Sequence, residues 1–191
     1  MPHIFDPANR IKLEDPGRFS GIAPEKLLLA AGIKPRDIVL DIGCGTGLFA
    51  LPAARLVAPR GKVYAMDVSA GMLAILRTRL AKAGVFNIEA IEVSPADLRV
   101  APGTGNMALL ADVLHEIADK SALLANLYAT LQPGARLVII EWRKAATPKG
   151  PPVHQRLAAD EIKSLLKTAG FTEPAETPIE ENHNMYLSKK P

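Results

Sequence analysis

The sequence predicts an α/β fold of three layers, an open and mostly parallel sheet of about seven strands between helices. Three observations predict it. Strand-like and helix-like segments alternate from residue 24 to residue 170, the pattern of consecutive parallel βαβ units. Right-handed crossovers between such strands put helices on both faces of the sheet. Two weaker strand-like runs close the chain, joined by a short polar link that suits an antiparallel pair.

Each element carries its own signal. Pro24–Ala31 reads as a short helix with Gly32 past its end, where a left-handed residue is wanted. Asp37–Ile42 (DIVLDI) is a β-branched run that stops at glycines, as a buried strand does. Leu48–Val57 follows as a helix in which Pro52 is tolerable only near the first turn. Arg60-Gly61 turns the chain into the strand Lys62–Asp67. Ser69 caps a helix running to Ala83 and ended by Gly84, with Met72, Leu73, Leu76 and Leu80 forming one buried stripe. Phe86–Val93 and Met107–Asp112 are the third and fourth strands. A helix opened by Asp119 or Ser121 carries Leu123, Leu124, Leu127 and Leu131, and Gln132-Pro133-Gly134 turns the chain into the strand Arg136–Trp142. A proline-rich loop, Ala145–Val153, precedes a helix around Asp160–Ala169 that ends at Gly170. The tail strands fall near Phe171–Pro178 and Met185–Ser188. The expected layout is one domain over 1–191, with an arm or lid at 1–23, a core at 24–170 and a C-terminal hairpin at 171–191.

Composition narrows the function classes. The chain has 191 residues, 48% apolar and 23% charged, an ordinary globular mixture. No apolar stretch approaches the length of a membrane span, and the first residues lack a secretory apolar region, so a cytoplasmic location is expected. The single cysteine, Cys44, excludes an intramolecular disulfide and a multi-cysteine metal site, and no metal is expected. A net charge of +3, from 23 basic and 20 acidic residues, makes no demand for a nucleic-acid partner.

In open parallel sheets ligands bind beyond the carboxyl ends of the strands. The glycine run Asp41-Ile42-Gly43-Cys44-Gly45-Thr46-Gly47 leaves the first strand at that edge. Glycines there permit a tight turn and a close backbone approach. The run is G-x-G-x-G, without the later glycine of a dinucleotide fingerprint and without the Lys-Ser/Thr of a P-loop. Asp67 ends the second strand 20 residues past Gly47, and its carboxylate can accept from both hydroxyls of a ribose.

VLDIGCGTG followed by VYAMDVS resembles the first two motifs of the class I, Rossmann-like S-adenosylmethionine (SAM) dependent methyltransferases. ADVLHEIAD, LQPGARLVIIEW and GPPVHQRLAADEIKSLLKTAGF extend the resemblance over nearly the whole chain, toward small-molecule members such as quinone-biosynthesis and arsenite methyltransferase-like proteins. The resemblance implies SAM as cofactor and S-adenosylhomocysteine as product. It implies Asp41, Gly43, Gly45 and Gly47 around the methionine moiety, Asp67 on the ribose and Val68 beside the adenine, with Cys44, Ser94, Ala96 and Asp112 as further cofactor-binding residues. Two departures stand out. Ser94-Pro95 replaces the usual Asp-Ala after the third strand, and proline offers no N–H to adenine, which leaves Ala96 or Asp97 for that contact. Asn106 replaces the usual Asp opening the fourth strand.

Methyl transfer from a sulfonium needs alignment and exclusion of water, and a base only where the nucleophile must lose a proton. His115, just past the fourth strand, is the candidate base; a packing or capping histidine is the plainer alternative. Glu141 can orient substrate, or pair with nearby Arg143 or Lys144, which is the preferred expectation. Arg18 in the arm, and His154 and Arg156 after the proline-rich loop, are candidates to meet an anionic substrate. One cysteine is too few for gripping arsenic, and 5% aromatic residues offer little base stacking, so a small-molecule acceptor is expected. The competing reading is a catalytically silent SAM-binding partner or regulatory protein. The oligomeric state is not legible in the sequence.

Overall fold

The computed structural model describes residues 23–148, 150–179 and 181–191. The helices are α1 (Pro24–Ala30), α2 (Ala50–Val57), α3 (Ala70–Ala83), α4 (Lys120–Thr130) and α5 (Ala159–Thr168). The strands are β1 (Ile38–Ile42), β2 (Lys62–Asp67), β3 (Ile88–Glu92), β4 (Gly105–Ala111), β5 (Leu131–Trp142), β6 (Ala175–Ile179) and β7 (His183–Lys189). They form one seven-stranded sheet in the order β3-β2-β1-β4-β5-β7-β6. The five strands from β3 to β5 are mutually parallel, while β7 runs antiparallel to both β5 and β6. The predicted α/β class and the antiparallel tail are both present. The chain order reverses between β1 and β4, where a parallel sheet opens a crevice at its carboxyl edge.

Local chemistry explains the boundaries. The Ser69 hydroxyl caps α3 by accepting from the Met72 N–H at 3.3 Å, and Gly84 ends that helix in the left-handed region at φ 62°. Asp119, not Ser121, caps α4, accepting from the Ala122 N–H at 2.8 Å. Two apolar clusters flank the sheet. Val39, Val63, Met107 and Val138 pack with α1, α2 and α3 on one face. Leu40, Ala108, Leu137 and Tyr186 pack with α4 and α5 on the other. No helix among the described residues is long and apolar enough to cross a membrane.

Four expectations shift. The third strand begins at Ile88, because Phe86 stands 94% exposed and is not part of the sheet. The fifth strand begins at Leu131, and the predicted turn is a bulge inside it: Gly105 faces Leu131 and Met107 faces Arg136, so Gln132–Ala135 stand against Asn106 alone. Residues 171–174 lie outside any strand, and β6 is confined to Ala175–Ile179. The last strand is longer than its apolar run, reaching back to His183.

The bulge also accounts for Asn106. Its Oδ1 accepts from the Ile38 N–H at 2.8 Å and its Nδ2 donates to Gln132 Oε1 at 3.0 Å. Asn106 therefore joins β1, β4 and β5 at the amino end of the parallel strands, away from the carboxyl edge. At the same end Arg136 donates to the Gly32 carbonyl and pairs with Asp37 at 2.5 Å.

Candidate functional site

The carboxyl ends of β1, β2 and β4 converge on the glycine loop. Cys44 N–H donates to the Met66 carbonyl at 3.0 Å, which ties the loop to β2. Gly45 N–H donates to Asp67 Oδ2 at 2.8 Å, and Ser69 N–H donates to Asp67 Oδ1 at 2.8 Å. Two glycines are needed for contact as well as for conformation. Gly43, at φ +67°, has no room for a side chain, since a Cβ would stand 2.4 Å from Val113 Cγ2. Gly47, at φ +94°, lets α3 close in, with Leu76 Cδ1 at 2.6 Å from where a Cβ would stand. Thr46 is buried and accepts from Arg79 at 3.1 Å.

The electrostatics are acidic. Asp41 is 3% exposed. Burial first, and then the Asp67 charge, push its carboxyl up to about 7, against an opposing hydrogen bond from the Ala50 N–H. Its Oδ2 is buried with no hydrogen-bond partner. Burial also raises Asp67, opposed by N–H donation from Ser69, Gly45 and Val68. Two carboxylates and an orphaned acceptor oxygen suit a ligand that brings hydroxyl or cationic N–H donors. Cys44 is buried, and burial together with both acidic neighbours holds its thiol far from ionisation. It fills space and is no nucleophile.

The third strand leads into a tight turn in which Ser94 and Asp97 exchange N–H···O bonds, each at 3.1 Å. That consumes the Asp97 N–H, and the Asp97 carboxylate accepts from the Arg99 N–H at 2.9 Å. Ser94, Ala96 and, at 44% exposure, Val68 are left open at this edge. The Asp97 N–H is thus taken by the turn, while its carboxylate stays exposed beside Ala96.

Past β4 the chain turns sharply. Asp112 adopts a left-handed φ of 57°, with its N–H donating to the Ile140 carbonyl at 2.8 Å. His115 lies in the short 3-10 turn that follows. Glu141 does not pair with Arg143 or Lys144 as expected. It is buried and receives both the His115 N–H at 3.1 Å and the imidazole Nδ1 at 2.8 Å. Strand alternation is the reason: Glu141 faces the side on which the turn packs. Arg143 and Lys144 instead line a surface crevice of about 340 Å³ with Leu157, Asn184 and Tyr186. Burial pulls the His115 imidazole down, but the Glu141 hydrogen bond and the charges of Glu141, Glu116 and Asp112 outweigh it and leave it raised.

The lid residues divide. Arg18 lies outside the described residues. His154 is exposed. Arg156 is 2% exposed and donates to the carbonyls of Pro151, Arg143 and Ala145 and to Thr147 Oγ1. It is a strut for the proline-rich loop, turned inward where an anion-binding arginine was expected. Arg156→Ala should loosen the loop, seen as faster proteolysis between residues 143 and 156 with little change in the global melting midpoint. Sequence reading missed His183, which begins β7 and lies 3.1 Å from Asp112 Oδ1 through Nε2. Its signal was alternation: His183, Met185 and Leu187 occupy one face of that strand.

The methyltransferase domain model matches residues 39–134, from β1 to the bulge after α4. This chain belongs to that methyltransferase family. A ubiquinone/menaquinone biosynthesis C-methyltransferase (UbiE) of Marinomonas sp. is 33% identical over 115 residues, covering 60% of this chain and 46% of the relative. The corresponding protein of Haemophilus ducreyi is 31% identical over 142 residues, covering 74% and 54%. The chain thus spans about half the length of these curated relatives. A SAM-dependent methyltransferase from Aquifex aeolicus superposes with a TM-score of 0.94 at 29% identity, over 98% of this methyltransferase-family chain and 100% of that one. An arsenic(III) SAM methyltransferase of Chlamydomonas reinhardtii shares the fold, with a TM-score of 0.65 at 20% identity over 83% and 64%.

Proposed function

We propose that the chain is a SAM-dependent methyltransferase acting on a small, ring-hydroxylated acceptor of the quinol class, methylated on carbon. The observation that carries the cofactor is the joining of the glycine loop to Asp67, beside the buried orphan oxygen of Asp41. Asp67 accepts from Gly45, Ser69 and Val68 and, partly exposed, can still accept from the ribose hydroxyls. Asp41 Oδ2 is the acceptor that a cationic amine would complete. The cofactor, when bound, supplies a methyl activated on a sulfonium and leaves as a neutral sulfide. The acceptor class follows the names of the curated relatives. The single, buried and unionised Cys44 argues against arsenic.

The protein's chemical task is then to raise electron density on a ring carbon. Removing a proton from a ring hydroxyl does this; after methylation the ring-carbon proton passes to that oxygen and restores the hydroxyl, so one proton in all is left on the base. His115 has the makings of a base: Nδ1 is held by Glu141, and Nε2, 3.9 Å from Glu116 Oε1, is the nitrogen left for the acceptor proton. Because His115 is raised, its free-base form, and with it turnover, should increase with pH through a range above the ordinary imidazole value. His115→Gln should lower kcat about 100-fold and remove that acidic limb of the pH profile. Full turnover with the limb intact removes the assignment.

The test of the function is calorimetry with SAM, followed by S-adenosylhomocysteine release over hydroquinones, catechols, amines and carboxylic acids. Release with the ring-hydroxylated members is expected. Failure to bind SAM refutes the cofactor; SAM binding without release on any acceptor favours the silent binder.

A further inference from the structure

Four side chains from separate parts of the sequence form one stack behind the cleft. Asp112 Oδ1 lies 3.1 Å from His183 Nε2, both side chains being only 2% exposed. The His183 ring lies against Trp142, with centroids 4.1 Å apart at 45°. The Arg156 guanidinium stands 5.1 Å from the Trp142 ring centre. The proline-rich loop closes on the same indole at Gly150, where a Cβ would stand 2.8 Å from the ring. Arg156, bonded to three loop carbonyls, holds that loop in place.

The stack ends on a residue that needs holding. A left-handed backbone at a non-glycine residue is sparsely populated and persists only where its surroundings fix it. At Asp112 the backbone N–H is held by Ile140 and the carboxylate lies against His183. A buried carboxylate is costly unless polar groups lie against it, and the His183 imidazole edge, 3.1 Å away, is such a group. The next residue, Val113, is the one packed against Gly43 of the glycine loop.

We propose that His183 is a positioning residue for the cofactor site: it fixes the left-handed Asp112, and with it Val113 against Gly43 of the glycine loop, and the Arg156-pinned loop sets His183 through Trp142. This rests on the reading that SAM binds at the glycine loop. His183 itself touches no reacting atom in this account.

The test is SAM affinity, with melting curves, for the full chain and three variants. His183→Leu should weaken SAM binding tenfold or more. His183→Gln, which keeps a donor near the Nε2 position, should bind within threefold of the parent. Gly150→Ala, in the exposed loop and far along the chain from the cleft, should weaken binding severalfold while leaving the melting midpoint in place. His183→Leu binding within twofold of the parent overturns the inference, as does His183→Gln binding as weakly as His183→Leu. Should His183→Leu not fold, an unchanged affinity in Gly150→Ala overturns it instead. A parent protein that fails to bind SAM defeats the cofactor reading itself.

Discussion

Asp67→Ala should lower SAM affinity by 100- to 1,000-fold while leaving the protein folded. The carboxylate serves two sets of partners. It organises the loop by accepting from the Gly45 and Ser69 N–H groups, each at 2.8 Å. Partly exposed at the carboxyl edge, it can also accept from the hydroxyls of a ribose lying there. A hydrogen bond to a charged group contributes about 1.5–3 kcal/mol, so two ribose contacts account for roughly 3–4 kcal/mol or more. Alanine also frees these N–H groups, but at a partly exposed position water can reach them, so the fold should hold. Asp67→Asn separates the two functions. An amide turns one donor toward one of the two N–H groups, so loop order and ribose affinity should both fall, though less than with alanine. Calorimetry with SAM measures the loss, and an Asp67→Ala protein that binds SAM within threefold of the parent removes Asp67 from the site.

The parallel sheet was legible because its strands are short runs bounded by glycine or helix caps, and those signals are local. Asp41, the glycine loop and Asp67 were legible for the same reason. What escaped reading depends on contacts between distant residues. Glu141 and His115 are 26 positions apart, and their pairing is set by which face of β5 meets the 3-10 turn. Arg143 and Lys144 were the nearer partners in sequence, but Glu141 is buried and they are exposed. Arg156 reads as a free cation because nothing in its neighbourhood announces the loop carbonyls that fold over it. His183 precedes the apolar run of the last strand, so the sequence alone groups it with the preceding turn. Asn106 looked like a defect in the cofactor site, yet it fills a bulge at the opposite end of the strands.

Asp41→Asn should make the free protein more stable at pH 8 and weaken its hold on SAM. The sign follows from the direction of the shift. The carboxyl stands at about 7 in the folded protein, up from 3.8, because burial and Asp67 disfavour its charge. The folded chain therefore keeps a proton that the unfolded chain has released. Stability from this group is present at low pH, falls as pH rises from about 4 toward 7, and is fully lost above that window. The loss is on the order of 2–4 kcal/mol at pH 8. Asparagine has the same shape, can still accept from the Ala50 N–H, and carries no charge to bury. The stability difference between variant and parent should thus favour the variant at pH 8 and vanish near pH 4, as read from urea midpoints at both values. Cofactor binding should move the other way. Oδ2 is the buried acceptor without a partner, and in the variant an N–H₂ group can occupy its place and oppose a cationic amine. An expected 10- to 100-fold weakening of SAM binding corresponds to about 1.4–2.8 kcal/mol. Equal stability of the two proteins at both pH values refutes the burial cost, and unchanged SAM affinity refutes the amine contact. Both effects together would mean that the site holds a destabilising carboxylate for the cation it binds.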